Sequence, residues 1–303
     1  MFDIYDDLIK IIPAENVAKD VYMTGFTSFK IGGPADYMVS VSNSSELSSL
    51  IKYLKENKVA FMILGNGSNI LVSDKGYRGV MIRLGGDFRN VVALGNKVIA
   101  GAGVTLMALT REVLNASLSG LEFAYGIPGS VGGAVYMNAG AYGGEMKDVI
   151  TSVEVLDEEG NVVTIEAKDM DFGYRTSICK RRDIVVLKAN MELVPGSHQK
   201  IEAKMEEHMK ARKDKQPYNM PSAGSTFKRP EGYFAGKLIT DSGLSGYQVG
   251  QAQVSVKHNG FVVNLSGATA SDVAKLIKDV KEKVYSSQGV MLEEEVIYVG
   301  EFE

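Results

Sequence analysis

The sequence predicts a larger α/β or α+β unit followed by a smaller α+β module. Three observations support this class. Residues 36–200 alternate between apolar runs typical of strands and amphipathic stretches typical of helices. A strongly charged stretch follows at 198–215, and the chain then continues with a strand, a helix and a strand. With 303 residues, the chain is long enough for two or three domains.

The larger unit is predicted to begin with a strand at 36–41 and a helix at about 44–58. Asn43 and Glu46 stand at the spacing of a capping box. The core-facing stripe of this helix would consist of Leu47, Leu50, Ile51 and Leu54. The further elements predicted here are strands at 60–64, 79–84, 97–103 and 183–193, a helix at 105–117 with Thr105 as its cap, and a hairpin at 150–167.

The smaller module follows a charged stretch whose helical stripe of Ile201, Met205 and Met209 predicts a helix with a solvated outer face. Pro217 and Pro221 then mark a boundary or an ordered loop. The elements predicted beyond it are a strand at 260–265, a helix at about 271–286 with a capping box at Thr269 and Asp272, and a strand at 294–300.

Composition excludes several classes of protein. An apolar content of 45% and a charged content of 23% are typical of a globular protein. The net charge is −4 and no long Lys/Arg block is present, so neither a nucleic acid nor an anionic membrane is expected as a partner. No apolar run approaches the ~18 residues of a membrane span.

Further features indicate a cytoplasmic protein without a metal. The N-terminal residues 1–12 carry three Asp before the first Lys, unlike the positive start of a signal peptide. The single cysteine, Cys179, cannot form an intramolecular disulfide. His198, His208 and His258 are scattered without a spacing typical of zinc sites.

Residues 123–146 are the most informative segment, because seven glycines lie between Gly126 and Gly144 with no charged residue before Glu145. Glycine loses more backbone entropy on folding than other residues, so such a cluster needs a compensating gain. Backbone N–H groups in such segments commonly hold phosphates. We therefore predict a loop that holds a phosphorylated cofactor, with a tight structural loop as the alternative.

Two other glycine clusters fit the same hypothesis. Gly65–Asn69 directly follows a predicted strand, but Ile70 occupies the third glycine position of a dinucleotide fingerprint, and no P-loop Lys follows. Gly32 and Gly33 precede a proline that stiffens the turn, and Lys30 is a possible phosphate partner. Together these clusters favour one phosphate-bearing ligand over isolated turns.

Seven segments are distinctive as a set. They are, in chain order, FTSFKIGGPAD, ILGNGSNILVSD, YGIPGSVGGAVYMNAGAYGGE, GYRTS, PSAGSTFKRP, AGKLITDSGLSGYQVGQAQVSVKHNGF and LEEEV. Through these segments the sequence resembles the UDP-N-acetylenolpyruvoylglucosamine reductase family over roughly residues 24–300. The resemblance implies reduction of UDP-N-acetylglucosamine enolpyruvate to UDP-N-acetylmuramate with NADPH and noncovalent FAD, in peptidoglycan precursor synthesis. The length of 303 residues fits the shorter form of the family, which lacks a tyrosine-bearing insertion.

The resemblance also implies a fold: an FAD-binding domain of the p-cresol methylhydroxylase/vanillyl-alcohol oxidase type, in two subdomains, followed by a smaller α+β substrate-binding domain. The implied ranges are 1–80, which the strand at 296–303 could join, then 81–200 and 201–303. A monomer is favoured. The implied FAD-binding residues are Lys30, Gly32, Gly33, Gly65, Asn66, Gly67, Ser68, Asn69, Ile70, Gly126, Ile127, Pro128, Gly129, Ser130, Gly132, Gly133, Ala134, Asn138, Gly140, Ala141, Tyr142 and Gly143.

Three catalytic residues are implied by the same resemblance. The reaction adds hydride to the β-carbon of an unsaturated carboxylate and a proton to its α-carbon. Arg175 would polarise the carboxylate, Ser225 would donate the proton and Glu295 would assist charge stabilisation at the enolate. Glu293 is the alternative to Glu295, because Glu293, Glu294 and Glu295 are consecutive. The implied substrate-binding residues are Tyr174, Lys228, Lys237, Lys257 and His258.

Two alternatives remain open from the sequence. One is another flavin enzyme on the same domain, such as an oxidase with noncovalent FAD. Residues 1–178 contain neither His nor Cys, which excludes a covalent flavin link in that part of the chain. The other is a noncatalytic nucleotide- or flavin-binding protein, which would keep the glycine clusters without needing Arg175, Ser225 and Glu295.

Overall fold

The structure, a computed structural model, describes residues 3–302, so Met1, Phe2 and Glu303, at the ends of the predicted domain ranges, lie outside the described residues. The chain divides into two compact units that are each built from separate segments. Unit 1 comprises the chain up to Ala18 together with Tyr37–Asn66 and Gly79–Ala211. Unit 2 comprises Lys19–Asp36, Gly67–Arg78 and the chain from Arg212 onwards.

The α-helices between residues 3 and 302 are α1 (Tyr5–Ile11), α2 (Ser44–Glu56), α3 (Leu106–Asn115), α4 (Val131–Met137), α5 (His198–Lys215), α6 (Ala235–Asp241) and α7 (Ala270–Gln288). The strands in the same range are β1 (Val17–Tyr22), β2 (Pro34–Val41), β3 (Phe61–Leu64), β4 (Ile70–Val72), β5 (Tyr77–Leu84), β6 (Val91–Leu94), β7 (Lys97–Gly101), β8 (Leu118–Ser119), β9 (Gly140–Ala141), β10 (Gly144–Glu145), β11 (Ile150–Leu156), β12 (Val162–Glu166), β13 (Val185–Glu192), β14 (Val194–Pro195), β15 (Ser222–Ser225), β16 (Gln248–Val249), β17 (Ala252–Val254), β18 (Phe261–Asn264) and β19 (Ile297–Val299).

The core of unit 1 lies against a five-stranded antiparallel sheet of order β12-β11-β13-β7-β6. Val153 and Leu187 of this sheet are fully buried, together with Leu106 and Leu109 of α3. The short helix α4 packs against β13. A further four-stranded sheet has the order β1-β2-β5-β3, in which β3 and β5 run parallel. Unit 1 therefore has a continuous apolar core, to which Val131 and Val135 of the glycine-rich segment contribute.

Unit 2 has its own hydrophobic core. An antiparallel sheet of order β15-β18-β17-β16 packs against α7. Val273, Leu276 and Val280 of α7 are fully buried in it. Strand β19 pairs in parallel with β4, so the C-terminal strand joins residues 70–72.

Most of the elements predicted from periodicity and capping are confirmed. The predicted stripe of α2 is buried, and the Asn43 side chain accepts a hydrogen bond from the Glu46 N–H. Thr105 caps α3 in the same way. Thr269 and Asp272 form both hydrogen bonds of a capping box at α7. The charged helix α5 is present, and Ile201 and Met205 are its buried stripe.

Three helices were not predicted, and the prediction of a loop throughout 123–146 was wrong over α4. This helix contains Gly132 and Gly133, which have low helix propensity. It forms because tertiary contacts satisfy its first N–H groups and bury Val131 and Val135. The other two, α1 and α6, have seven residues each, too short for a clear apolar period. Between residues 3 and 302, no helix combines the length and the apolar character needed to cross a bilayer.

Replacing Thr269 with Ala should lower the free energy of unfolding by about 1 kcal/mol, because the N–H of Asp272 loses its acceptor at the start of α7. Chemical denaturation would measure this loss. Ser286→Ala is the control, since it removes from the last turn of the same helix a hydroxyl that donates to the Glu282 carbonyl and caps no N–H group. An equal loss in both variants would contradict the capping role.

Candidate functional site

Gly65 and Asn66, the part of the Gly65–Asn69 cluster that belongs to unit 1, lie beside the start of the glycine-rich segment. A Cβ added at Gly65 would lie 2.6 Å from the Ser130 Oγ atom. The Asn66 side-chain amide donates to the Pro128 carbonyl oxygen at 3.1 Å. Gly65, Asn66 and Pro128 are exposed, so the surface they form is accessible. The end of strand β3 and the start of the glycine-rich segment therefore form one continuous surface.

Helix α4 begins at this surface, but its first N–H groups are already used within the protein. Val131 N–H donates to the Val104 carbonyl and Gly132 N–H to the Ala102 carbonyl, at 2.8 and 2.9 Å. Gly133 N–H donates to the hydroxyl of Ser130, the N-cap residue. A phosphate at this end of α4 would therefore have to be held by groups other than these three N–H donors.

Several glycines of the segment are explained by contacts inside unit 1. A Cβ at Gly132 would lie 3.0 Å from the Ala102 Cβ, and one at Gly144 would lie 2.6 Å from a ring carbon of Phe123. Gly126 has φ +86, which favours glycine. At Gly133, by contrast, a Cβ would meet only the Ser130 hydroxyl at 3.4 Å, so its surroundings are open.

Strands β9 and β10 form a two-residue hairpin whose turn consists of Tyr142 and Gly143. Both residues have positive φ, +51 and +85, as a type I′ turn requires. The Tyr142 ring stacks on the buried His208 ring of α5, with centroids 4.3 Å apart and planes 14° apart. Tyr142 is 45% exposed, so one part of its ring remains available at the tip of the hairpin.

The glycines predicted in unit 2 have strict steric reasons. A Cβ at Gly33 would lie 2.1 Å from the Asp74 carbonyl oxygen, and one at Gly32 would lie 2.9 Å from the Cβ atoms of Met23 and Val72. At Gly67, which has φ +59, a Cβ would lie 2.0 Å from the Phe26 carbonyl oxygen. Close backbone packing therefore accounts for these glycines without a ligand, and their contact with a cofactor stays a prediction.

The remaining cofactor residues predicted in unit 2 contact different segments of that unit. The Asn69 amide donates to the Glu295 carbonyl oxygen at 3.0 Å. Lys30 has φ +58 and lines an open cavity of about 490 Å³ with Asn264 and Ser266. Ser68 is half-buried, and Ile70 begins strand β4.

Arg175 lies in a tight turn that is anchored to α4 on both sides. Gly173 and Thr176 exchange backbone hydrogen bonds of 3.1 and 3.3 Å around Tyr174 and Arg175. Arg175 has φ +54, at the position where a type II turn normally needs glycine. The Asn138 amide donates to the Gly173 carbonyl at 3.0 Å on one side of this turn.

On the other side of the turn, the Ser177 hydroxyl donates to the Tyr136 carbonyl at 2.9 Å. The Arg175 guanidinium donates to the Gly140 carbonyl at 3.4 Å and lies 5.2 Å from the ring centroid of Tyr174. Tyr174 is 51% exposed, so the predicted substrate-binding and catalytic residues of this turn lie together at the surface of unit 1.

Ser225 ends strand β15 in unit 2 and is half-buried. The preceding Gly224 has φ +76, within the irregular pairing of β15 with β18. The next residue, Thr226, is fully buried, and its backbone is bonded to the segments of Gly260 and Glu295. Its N–H donates to the Gly260 carbonyl and its carbonyl accepts from the Glu295 N–H, each at 2.8 Å. Ser225 therefore directly precedes the residue whose carbonyl is hydrogen-bonded to Glu295.

The structure distinguishes the three consecutive glutamates. Glu293 is 70% exposed and forms an ion pair with Lys228. Glu294 is half-buried and pairs with Lys281 of α7 at 2.7 Å, so it supports the core of unit 2. Glu295 is half-buried and its backbone is bonded to the segment that carries Ser225. The Glu293 carbonyl also accepts a hydrogen bond from this segment, the Lys228 N–H at 2.8 Å, so the choice of Glu295 as the functional residue stays a prediction.

The predicted substrate-binding lysines of unit 2 already have partners within the protein. Lys228 pairs with Glu293, and Lys237 pairs with Asp241 one turn along α6 at 2.7 Å. The Lys257 ammonium donates to the Lys213 carbonyl oxygen. These contacts lie at the surface of unit 2 and are worth little individually, so a diphosphate could replace them as a partner.

His258 is held as a neutral side chain. Its Nδ1 atom accepts the Gly260 N–H at 3.2 Å, which leaves the proton on Nε2. Its ring lies edge-on to Phe261, with centroids 4.9 Å apart. Burial lowers the pKa of His258 below its ordinary value of 6.5. His258 therefore offers a neutral N–H donor at pH 7 rather than a cation.

Sequence reasoning missed a polar network around Glu145. Its carboxylate accepts from the Asn138 amide at 2.8 Å and pairs with Lys147 at 3.0 Å. Burial alone raises the pKa of Glu145, but hydrogen bonds from Lys147 and Asn138 and the charges of Lys147 and Arg175 lower it overall. The available signal was its position as the first charged residue of the glycine-rich segment.

Cys179 is buried, and burial raises the pKa of its thiol, so it remains protonated at neutral pH. Among residues 3–302, no three His, Cys, Asp or Glu side chains form a group that could hold a metal ion.

Comparison with known proteins assigns a class to this geometry. A family model described as an FAD binding domain matches residues 35–166. A model described as the C-terminal domain of UDP-N-acetylenolpyruvoylglucosamine reductase matches residues 216–299. The class is thus that of proteins in which an FAD-binding domain precedes a distinct C-terminal domain.

Similarity over the full length gives the family. The chain is 49% identical to UDP-N-acetylenolpyruvoylglucosamine reductase of Alkaliphilus oremlandii over 98% of both chains. A solved structure of the corresponding reductase from Thermus caldophilus is 37% identical and has a TM-score of 0.80, over 92% of this chain and 98% of that one. The chain belongs to the UDP-N-acetylenolpyruvoylglucosamine reductase family.

A more distant similarity concerns the fold alone. Phl p 4.0202, a glucose dehydrogenase, is 16% identical with a TM-score of 0.50, over 65% of this chain and 45% of that one. Together with the two family models, this confirms the predicted fold class of an FAD-binding domain followed by a smaller α+β domain.

Gly33→Ala should destabilise the flavin-free protein, because the new Cβ would overlap the Asp74 carbonyl oxygen. Gly25→Ala is the matched control, since a Cβ there would meet nothing within 4 Å. Thermal unfolding without flavin and FAD titration would separate the two effects. A Gly33→Ala protein with normal stability but weak FAD affinity would show that this glycine serves the cofactor instead.

The lowered pKa of His258 makes the stability of unit 2 depend on pH. Because the folded protein binds this proton less tightly than the unfolded chain, the stabilisation is present above pH 6.5 and lost as pH falls below it. His258→Gln should therefore show a smaller loss of unfolding free energy between pH 7.5 and pH 5.5, measured by urea denaturation. His198→Gln, at an exposed histidine, is the control. If the unfolding free energy of wild type and of His258→Gln changed equally with pH, the argument would be contradicted.

Proposed function

We propose that this protein reduces UDP-N-acetylglucosamine enolpyruvate to UDP-N-acetylmuramate, with noncovalent FAD as cofactor and NADPH as hydride donor. The observation that carries this proposal is the placement of two sites at the ends of one helix. The Ser130 end of α4 contacts Gly65, and the Asn138 end holds the turn of Arg175. A seven-residue helix is roughly 10 Å long, so a flat cofactor at one end can reach the other.

The residues at the Ser130 end suit FAD. Gly65 and Gly133 are exposed and have no side chain, so the isoalloxazine ring or the diphosphate of FAD can approach their backbone closely. The N–H groups of Val131, Gly132 and Gly133 are used internally, so the exposed loop residues around Asn66 and Gly129 would bind the diphosphate. When bound, FAD would supply the hydride that the β-carbon of the enolpyruvyl group receives.

Arg175 would act on the substrate carboxylate. A guanidinium is always charged and presents a planar fork that matches both carboxylate oxygens. As hydride reaches the β-carbon, negative charge grows on the α-carbon and carboxylate as an enolate. A fork held in place before the reaction stabilises that charge without reorganisation. Tyr174, beside it in the same turn, would contact the substrate.

Ser225 would donate its hydroxyl proton to the α-carbon. A serine hydroxyl is a weak acid, but an enolate is a strong enough base to take its proton. Glu295, tied through its backbone to Thr226, would assist charge stabilisation at the enolate. Lys228, Lys237 and Lys257 would pair with the diphosphate of the UDP-sugar as point charges. His258 would contribute a neutral N–H donor to the same substrate.

Anaerobic absorbance spectroscopy tests the proposal and its alternatives. Protein loaded with FAD should bleach on addition of NADPH and recover its flavin absorbance on addition of UDP-N-acetylglucosamine enolpyruvate. Recovery with oxygen but not with the enolpyruvyl sugar would indicate a flavin oxidase. A protein that binds FAD but is not reduced by NADPH would favour a noncatalytic binding protein, and failure to bind FAD would contradict every flavin-based function.

Ser225→Ala should leave FAD binding and reduction by NADPH nearly unchanged, while it slows reoxidation by the enolpyruvyl sugar by ~10²-fold or more, the scale of general-acid loss. Stopped-flow absorbance would measure each half-reaction separately. Ser222→Ala, in the same strand, is the matched control and should leave both rates unchanged. An equal loss in both half-reactions of Ser225→Ala would show that Ser225 has only a structural role.

A further inference from the structure

We infer that Asn138 is a positioning residue for Arg175, connecting the turn that carries the guanidinium to the hairpin that receives it. This inference rests on the proposed function, because it assigns Asn138 a task in the half-reaction that uses Arg175. It differs from the direct cofactor contact that the resemblance implies for Asn138.

The backbone places Asn138 where its side chain can connect two segments. Its N–H bonds to the Val135 carbonyl and the next N–H bonds to the Ala134 carbonyl, the pattern of a Schellman motif at the end of α4. Asn138 has φ +43 and ψ +56, a left-handed conformation that asparagine tolerates better than other residues with a side chain. This reversal turns the Asn138 side chain back into the protein, where it is 1% exposed.

The hydrogen bonds of the Asn138 side chain go to the turn of Arg175 and to the segment at and after the end of the β9–β10 hairpin. Its amide donates to the Gly173 carbonyl at 3.0 Å and to the Glu145 carboxylate at 2.8 Å. Its carbonyl oxygen accepts the Lys147 N–H at 3.0 Å. Because both of its amide hydrogens are used and the residue is 1% exposed, Asn138 has no hydrogen-bond donor left for a flavin.

The geometry of Arg175 requires such a connection. The turn is closed by the two backbone hydrogen bonds between Gly173 and Thr176 and holds Arg175 at an unfavourable positive φ. The guanidinium then reaches the Gly140 carbonyl on strand β9, whose partner strand ends in Glu145. Asn138 bonds to both sides of this contact, so it sets the distance between the turn and the hairpin.

Asn138→Gly is the sharpest variant, because glycine keeps the left-handed backbone and removes only the side-chain bonds. We expect the flavin absorbance spectrum, the FAD affinity and the rate of reduction by NADPH to stay within about twofold of wild type. Reoxidation by UDP-N-acetylglucosamine enolpyruvate should slow by about 10- to 100-fold, the range that a displacement of about 1 Å can produce.

A double-variant comparison identifies the route of the effect. If Asn138 acts through Arg175, then Asn138→Gly combined with Arg175→Ala should reoxidise as slowly as Arg175→Ala alone. Val153→Ala, a cavity variant in the sheet of unit 1, is the control for lost stability and should leave both half-reactions unchanged at a comparable loss of melting temperature.

The Nε–H NMR signal of Arg175, assigned by its loss in Arg175→Ala, gives a readout that does not need the reaction. The signal should show one ordered Arg175 side chain in wild type, and a side chain that exchanges between several conformations in Asn138→Gly. Multiplicative losses in the double variant, an unchanged rate in Asn138→Gly, or loss of flavin affinity would each overturn the inference. If wild-type reduced flavin is not reoxidised by the enolpyruvyl sugar, the proposed function fails, and the NMR signal still decides whether Asn138 orders Arg175.

Discussion

The short helix α4 is held in place by contacts at its two ends rather than by its own helical propensity. Seven residues with two glycines cannot form a stable helix in water. At the N-terminus, carbonyls of Ala102 and Val104 accept its first N–H groups, and at the C-terminus the left-handed Asn138 closes it. Both parts of the unit 1 site depend on this helix, because the glycine surface meets its start and the turn of Arg175 is bonded to its end.

The close approach of backbone segments is the second constraint, and it changes the meaning of the glycines. Their density suggests a ligand, yet Gly33 and Gly67 have no room for a Cβ because of carbonyl oxygens of their own unit. Gly133 and Gly143, by contrast, are exposed beside open space. A glycine-rich segment thus combines two demands that the sequence alone does not separate: dense packing below the surface and an accessible backbone above it.

Elements with a regular apolar period and a capping residue could be predicted from the sequence. Helices α2, α3 and α7 each follow a cap that the structure contains, since capping is a local interaction between residues three apart. Helix α4 could not be predicted, because its stability comes from carbonyls that lie about thirty residues earlier in the chain. Local propensity carries no information about such partners.

The same limit applies to the site. The resemblance predicts that Ser225 and Glu295 act together, and the structure adds the backbone hydrogen bonds of Thr226 that bring their segments together. The ion pair of Lys228 with Glu293 joins residues 65 positions apart, and the neutral state of His258 depends on the Gly260 N–H and on burial. These properties arise from tertiary contacts, so no local pattern of residue types contains them.

Backbone strain is concentrated in the segments around the predicted catalytic arginine. Tyr142 and Arg175 both have positive φ in turns that glycine would form more easily, a cost of roughly 1–3 kcal/mol each. Each strained turn has a specific support. Tyr142 stacks on His208. The turn of Arg175 is bonded to α4 because the Ser177 hydroxyl donates to the Tyr136 carbonyl and the Asn138 amide donates to the Gly173 carbonyl. Glycine would relieve the strain at both positions, but it would remove the Tyr142 ring and the Arg175 guanidinium, which are predicted to bind FAD and the substrate carboxylate.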